Sequence, residues 1–175
     1  MNSIELFFWL SPALVAYAYL GYPLVIWLLS RRFADPLTSA DPPQHNQDWP
    51  TVSLVIAAYR EEQVILERID NALRCDYPAD RLEILIGCDG EEDLTGELVR
   101  SVDDDRVHLV QFPERRGKAS VLNDCVPAAR GEIVVLSDAN TMFDPQALRR
   151  LARHFRDPRV GGVCGKLVLV DPVSG

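Results

Sequence analysis

The sequence predicts an α/β protein, a mostly parallel sheet with helices on both faces, preceded by one membrane-spanning helix. Three observations predict it. From residue 51 onward, apolar runs of strand length alternate with stretches of helical period, as in parallel strands joined by crossover helices. Residues 6–29 carry no charge, and as a helix they would run about 36 Å against a bilayer core of about 30 Å. Residues 33–50 are proline-rich, poor in aliphatics and without period, which reads as a linker. The chain thus divides into an anchor at 1–32, a linker at 33–50 and a folded domain at 51–175.

Charge and cysteine usage narrow the function classes. Lys and Arg number 18 against 26 Asp and Glu, a net charge of −8. A chain this acidic lacks the basic footprint of a general nucleic-acid binder, so an anionic ligand must be met by local cations or a metal. The four cysteines are scattered, no C-x-x-C pair is present, and three sit among apolar neighbours, so they read as reduced core thiols.

In the anchor, Trp9, Tyr17, Tyr19, Tyr22 and Trp27 include residues near both ends, as interfacial aromatics would be, and Pro12, Gly21 and Pro23 allow a kink. The run is too long for a signal peptide, with no basic segment before it and no clean small-x-small site after it. Only Glu5 is charged before the run, whereas Arg31 and Arg32 follow it directly. The positive-inside bias then places the downstream part in the cytoplasm, at a plasma or inner membrane. The competing reading is a buried hairpin of a soluble domain.

The domain opens with a continuous apolar strand at 52–58 and a helix at 61–74, with Val64, Ile65, Ile69, Ala72 and Leu73 on roughly one face. Glu61 and Glu62 are expected in its first turn, complementing the helix dipole. A second strand at 82–88 ends in Asp89 and Gly90; a short helix at 95–102 and the acidic turn 103–105 follow. The third strand, 107–112, runs into the basic patch of Glu114, Arg115, Arg116, Gly117 and Lys118. A helix at 119–129 has Pro127 in an irregular last turn, and a β-branched-rich strand at 133–137 comes next. Asp144 as N-cap and Pro145 as first position start a helix through 155. The stretch 160–170 reads as a strand broken by Gly161, Gly162 and Gly165. Neither G-x-G-x-x-G nor G-x-x-x-x-G-K-[ST] follows the first strand, so neither a dinucleotide fingerprint nor a P-loop is supported.

Polar groups stand at each expected strand end: Tyr59 to Glu62, Asp89, Arg115 to Lys118, then Asp138 and Asn140. In a parallel sheet these ends open on one edge, where such folds bind ligands. A nucleoside diphosphate would give every group a task. Tyr59 could cover a base, Asp89 could accept an N–H from a pyrimidine edge, and Lys118 could meet the base edge or the phosphates. In an extended segment Asp138 and Asn140 point to the same side and could offer two oxygens to Mg²⁺ or Mn²⁺. Each group alone also has a plain structural reading: a half-buried strand residue, an Asp-Gly turn, a surface lysine at a helix start, a local cap.

In order and spacing, SLVIAAYREE, LIGCDGEEDLTGE, ERRGKASVLN and VVLSDANTMFDPQAL resemble the donor-binding half of glycosyltransferase family 2. These are the inverting GT-A enzymes that include the membrane-bound cellulose, chitin, hyaluronan and poly-N-acetylglucosamine synthases. The resemblance implies a GT-A fold, a nucleotide-sugar donor, usually a UDP-sugar, and a saccharide or lipid-linked acceptor. By motif position it implies that Ala58, Tyr59 and Glu61 line the nucleoside pocket, that Asp89 reads uracil, and that Lys118 lies beside the nucleotide. Asp138 matches the first acid of the family's D-x-D metal motif, while Asn140 stands where its last acid usually is. An amide oxygen there can ligate but adds no negative charge. Cys88 likewise replaces an acid often found before Asp89. The general base, an acid, and the acceptor-side Q-x-x-R-W motif are expected beyond residue 175, so the chain reads as a fragment of a longer enzyme or as a donor-binding half that cannot transfer alone. A non-catalytic nucleotide-sugar-binding or assembly module at the membrane is the alternative. A nucleotidyltransferase would carry a glycine-rich basic loop where this chain has AAYREE.

Overall fold

The computed structural model describes residues 2–33, 43 and 45–169, which fall into two units, one up to Thr38 and one from Ser39. Much of the expected linker and the end of the expected last strand at Val170 lie outside the described residues.

The first unit is a run of helix. α1 (Ser3–Ala16) begins with a reciprocal cap in which the Asn2 side chain accepts the Glu5 N–H at 2.8 Å and the Glu5 carboxylate accepts the Asn2 N–H at 3.1 Å. A π-helical turn (Tyr17–Gly21) leads into α2 (Tyr22–Phe33), with the Tyr22 N–H bonded to the Tyr17 carbonyl, one residue further back than in an α-helix. The irregularity expected near Gly21 and Pro23 therefore takes the form of a widened turn, and the helix continues through it. Together Ser3–Phe33 make 31 residues, long and apolar enough to cross a membrane. In the last turn the Arg31 guanidinium lies 4.2 Å over the Trp27 ring.

The second unit is built on a parallel sheet of four strands, β1 (Val52–Ala58), β2 (Leu82–Asp89), β3 (Val107–Phe112) and β4 (Ile133–Asp138), in the order β3-β2-β1-β4. Val52 lies opposite both Leu82 and Ile133, so all strands start at one rim and finish at the other. β1 is central and covered on both sides, which is why its sequence shows no polar alternation. Leu54, Ile56, Ile84 and Ile86 pack on one face against α3 (Ile65–Leu73), α4 (Thr95–Arg100) and α6 (Ala147–Ala152). On the other face Val55 and Leu85 meet Val121 and Cys125 of α5 (Lys118–Ala128). α5 comes so close that a Cβ at Gly87 would lie 2.4 Å from Val121 and 2.7 Å from Cys125.

Trp49, read with the linker, is buried. Its ring stands edge-on to Tyr77 at 5.7 Å, its carbonyl accepts from Arg81 at 2.8 Å, and the Tyr77 hydroxyl donates to the Pro50 carbonyl at 2.6 Å. Cys75, Cys88 and Cys125 are buried, Cys164 is exposed, and all four are free, as expected of reduced thiols.

Three expectations need correction. α3 starts at Ile65, so Glu61 and Glu62 lie in a preceding turn, held there because the Glu61 N–H donates to the Thr95 hydroxyl and the Glu62 carboxylate accepts from the Leu94 N–H. Asp144 does not cap the helix core. It caps a turn through the Gln146 N–H at 2.9 Å, α6 starts at Ala147, and Arg153–Arg156 tightens to a 3₁₀ turn. Residues 160–169 form no strand, because apolar character alone supplies no hydrogen-bonding neighbour; Leu167, Val168 and Leu169 are exposed instead.

Candidate functional site

The parallel register delivers Ala58 and Tyr59, Asp89, the loop after β3, and Asp138 to the carboxyl-end rim of the sheet. After β1 the chain turns sharply at Arg60, whose φ of 56° is the left-handed conformation that a non-glycine residue rarely adopts. The Tyr59 hydroxyl donates to Glu92 at 3.1 Å and Arg60 pairs with the same carboxylate, which raises the guanidinium pKa and ties the loop after β1 to the loop after β2. Ala58 itself is a core residue, 2 % exposed. Glu61 is fixed through its backbone N–H to Thr95 at 3.0 Å.

Asp89, the last residue of β2, is 5 % exposed and uses both carboxylate oxygens on the basic loop. One accepts the Arg116 N–H at 2.6 Å and the other the Gly117 N–H at 2.8 Å. Gly117 can take this position because its φ of 87° is open to glycine. The clasped loop aims its cations in different directions. Arg115 lies 4.2 Å over the Tyr59 ring, Arg116 lies 4.1 Å over Phe112 and pairs with Asp124, and Lys118 opens α5. The Lys118 ammonium contacts the Asp138 carboxylate; both side chains are more than half exposed, so this pair contributes at most about 1 kcal/mol to stability. The neighbouring Cys88 adds no charge, since burial pushes its thiol up to about 11.

Asp138 ends β4, and the chain then turns instead of staying extended. Residues 139 and 140 form a turn closed by the Thr141 N–H on the Asp138 carbonyl at 3.3 Å, with Ala139 buried and Asn140 exposed. The side chains of Asp138 and Asn140 therefore do not share a face through strand alternation. Among the described residues no three His, Cys, Asp or Glu side chains gather into a cation cage. One exposed carboxylate with a nearby amide suits an ion whose remaining ligands are phosphate oxygens and water, the usual manner of Mg²⁺. Two depressions of about 510 and 280 Å³ lie at the opposite rim, around Trp49, Arg81 and Glu132 and around Glu83, Arg106 and His108. They share no residue with this constellation.

Sequence reasoning passed over the residues beneath the rim. Arg68 of α3 is fully buried, and among the described residues it has no carboxylate partner. Its guanidinium donates to the Asn71 side chain at 3.0 Å and the Ser137 hydroxyl at 3.2 Å, and it lies 4.5 Å over the Phe143 ring. Burial lowers its pKa, and its Nε has no hydrogen-bond partner. A signal was available, because Arg68 falls on the same helical stripe as Ile65, Ile69 and Ala72, a charge on a face meant for the core. Thr95 and Glu92, which fix the loop after β1, carried no comparable signal.

The comparisons with known proteins agree with this architecture. The family model described as Glycosyl transferase family 2 matches residues 53–175. The poly-beta-1,6-N-acetyl-D-glucosamine synthase of Staphylococcus aureus (strain COL) is 32 % identical over 116 residues, covering 65 % of this chain and 28 % of that protein. The chain thus spans little more than a quarter of the length of this curated relative. Among solved structures, the mannosyltransferase PcManGT of Pyrobaculum calidifontis, in complex with GDP-Man and Mn²⁺, superposes with a TM-score of 0.68 at 33 % identity, over 85 % of this chain and 44 % of that one. Residues 1–349 of S. aureus TarS share the fold with a TM-score of 0.53 at 21 % identity, over 57 % of this chain and 30 % of that one. With a parallel sheet of GT-A type, polar groups converging on its carboxyl-end rim and a family match over most of its length, this chain belongs to glycosyl transferase family 2.

Proposed function

We propose that the chain is the donor-binding part of a membrane-anchored glycosyltransferase that moves a sugar from a nucleotide-sugar to an acceptor hydroxyl, with inversion, in polysaccharide or glycoconjugate synthesis. The observation that carries this reading is the Lys118–Asp138 contact beside the basic loop held by Asp89. A cationic loop touching an exposed carboxylate offers what a diphosphate and its divalent counter-ion both require.

In this reading Tyr59 and Glu61 bound the nucleoside pocket, with the Ala58 side chain behind them in the core. Asp89 holds the loop through two N–H groups and has lone pairs left for the edge of a base. Lys118 turns from Asp138 to the phosphates when a donor arrives. Asp138 and Asn140 would hold Mg²⁺ or Mn²⁺. With that ion bound, charge growing on the departing diphosphate is neutralised. The attacking hydroxyl belongs to a saccharide or lipid-linked acceptor, and its proton goes to a general base other than the donor-side residues named here. The apolar helix Ser3–Phe33 and the arginines at its end support a membrane anchor with the donor site on the cytoplasmic side.

A UDP-sugar is the proposed donor, and the GDP-Man complex of PcManGT makes guanosine the competitor to test. Calorimetric titration of the full chain in detergent with UDP and with GDP, with and without Mn²⁺, is the direct measurement. UDP should bind more tightly with Mn²⁺, and Asp138→Ala should remove at least about tenfold of that affinity, about 1.4 kcal/mol. Failure of both nucleotides to bind under either condition would overturn the proposal.

A further inference from the structure

The residues under the rim form a continuous set of contacts. Asn71 grips the backbone of Phe143 twice, accepting its N–H at 2.8 Å and donating to its carbonyl at 3.0 Å. Arg68 donates to that same Asn71 oxygen and stacks on the Phe143 ring. Its other arm donates to the Ser137 hydroxyl, which in turn donates to the Asp138 carbonyl at 3.2 Å. The turn that carries Asp138 and Asn140 is therefore held at both ends, Ser137 and Phe143, by one helix face.

Stability alone does not account for an arginine here. A fully buried guanidinium without a carboxylate, one of its donors unpaired, loses its hydration for two neutral hydrogen bonds and a ring contact. A methionine would fill the same space without that penalty. Local rules broken in this way are characteristic of functional sites.

We propose that Arg68 is a positioning residue, which with Asn71 braces the 137–143 turn so that Asp138 meets the cation and diphosphate in a fixed orientation. The inference rests on the donor-site reading above. Partners one step behind a metal ligand typically govern about tenfold or more of metal affinity. Arg68→Met should therefore raise the Mn²⁺ concentration that half-saturates UDP binding about tenfold. It should leave metal-free uridine binding unchanged and should not lower the melting temperature. Arg68→Lys, which keeps charge but loses the two-armed donor, should fall between Met and wild type.

The test is UDP and uridine titration of the full chain in detergent against a Mn²⁺ series, for wild type, Arg68→Met, Arg68→Lys and Asp138→Ala, with melting followed by tryptophan fluorescence. A wild-type Mn²⁺ requirement in Arg68→Met while Asp138→Ala loses it overturns this inference alone. Asp138→Ala behaving as wild type overturns the donor-site reading and the inference with it. An Arg68→Met chain that melts early and loses uridine and UDP binding together, or does not fold, makes Arg68 structural and also overturns it.

Discussion

A single carboxylate, Asp89, decides the shape of the basic loop. It is 5 % exposed, and each of its oxygens accepts one of two consecutive N–H groups in a loop 27 and 28 residues further on. Removing it strands both donors beside a buried strand end, which costs about 1–3 kcal/mol for each unsatisfied group that water cannot reach. Asp89→Ala should therefore speed amide hydrogen exchange at Arg116 and Gly117 well beyond the rest of the domain, and should displace Arg115 from the Tyr59 ring. Exchange mass spectrometry over residues 113–118 checks this. The sequence made Asp89 visible, as an acid before a glycine at a strand end. It concealed that the acid works inward, because the partners are backbone groups and carry no side-chain signature. Arg68 is the converse, a residue whose type conflicts with its helical position and so could have been singled out from the chain alone.

At the scale of elements, the four strands were legible almost to the residue. Parallel strands in a covered sheet are mostly apolar, and 52–58, 82–88, 107–112 and 133–137 are such segments, interrupted only by Ser53, Glu83, His108, Gln111 and Ser137; the structure adds only Asp89 and Asp138 at their ends. Helix starts were less legible. Side chains distant in sequence, Thr95 for the turn at Glu61 and Asn71 for the turn before α6, set where those helices begin. The stretch 160–169 was misread because strand propensity presupposes a neighbouring strand. Gly87 illustrates contact that only the fold reveals. Its φ is unremarkable, yet α5 packs directly on its Cα. Gly87→Ala should push Val121 and Cys125 off the sheet and destabilise the domain by about 1–3 kcal/mol, measured by urea unfolding against wild type.

For the whole molecule, the family assignment and the membrane proposal can be joined in one measurement that uses the cysteines. Cys75, Cys88 and Cys125 are buried, and burial raises all three thiols, so at pH 7.5, about an ordinary labelling pH, they stay protonated and shielded. Cys164 is exposed. A membrane-impermeant maleimide should leave Cys164 unlabelled in intact cells and label it after lysis, while Cys164→Ser abolishes the native signal. Labelling from outside would reverse the orientation inferred from Arg31 and Arg32. Trp49 has a mechanical consequence as well. Wedged edge-on against Tyr77, with its carbonyl accepting from Arg81, it clamps the residues just before β1 to the domain, so strain on the backbone at residue 48 is absorbed there before it reaches the sheet. The loops that carry Asp89 and Asp138 lie at the other end of the strands, a full strand length away from that clamp.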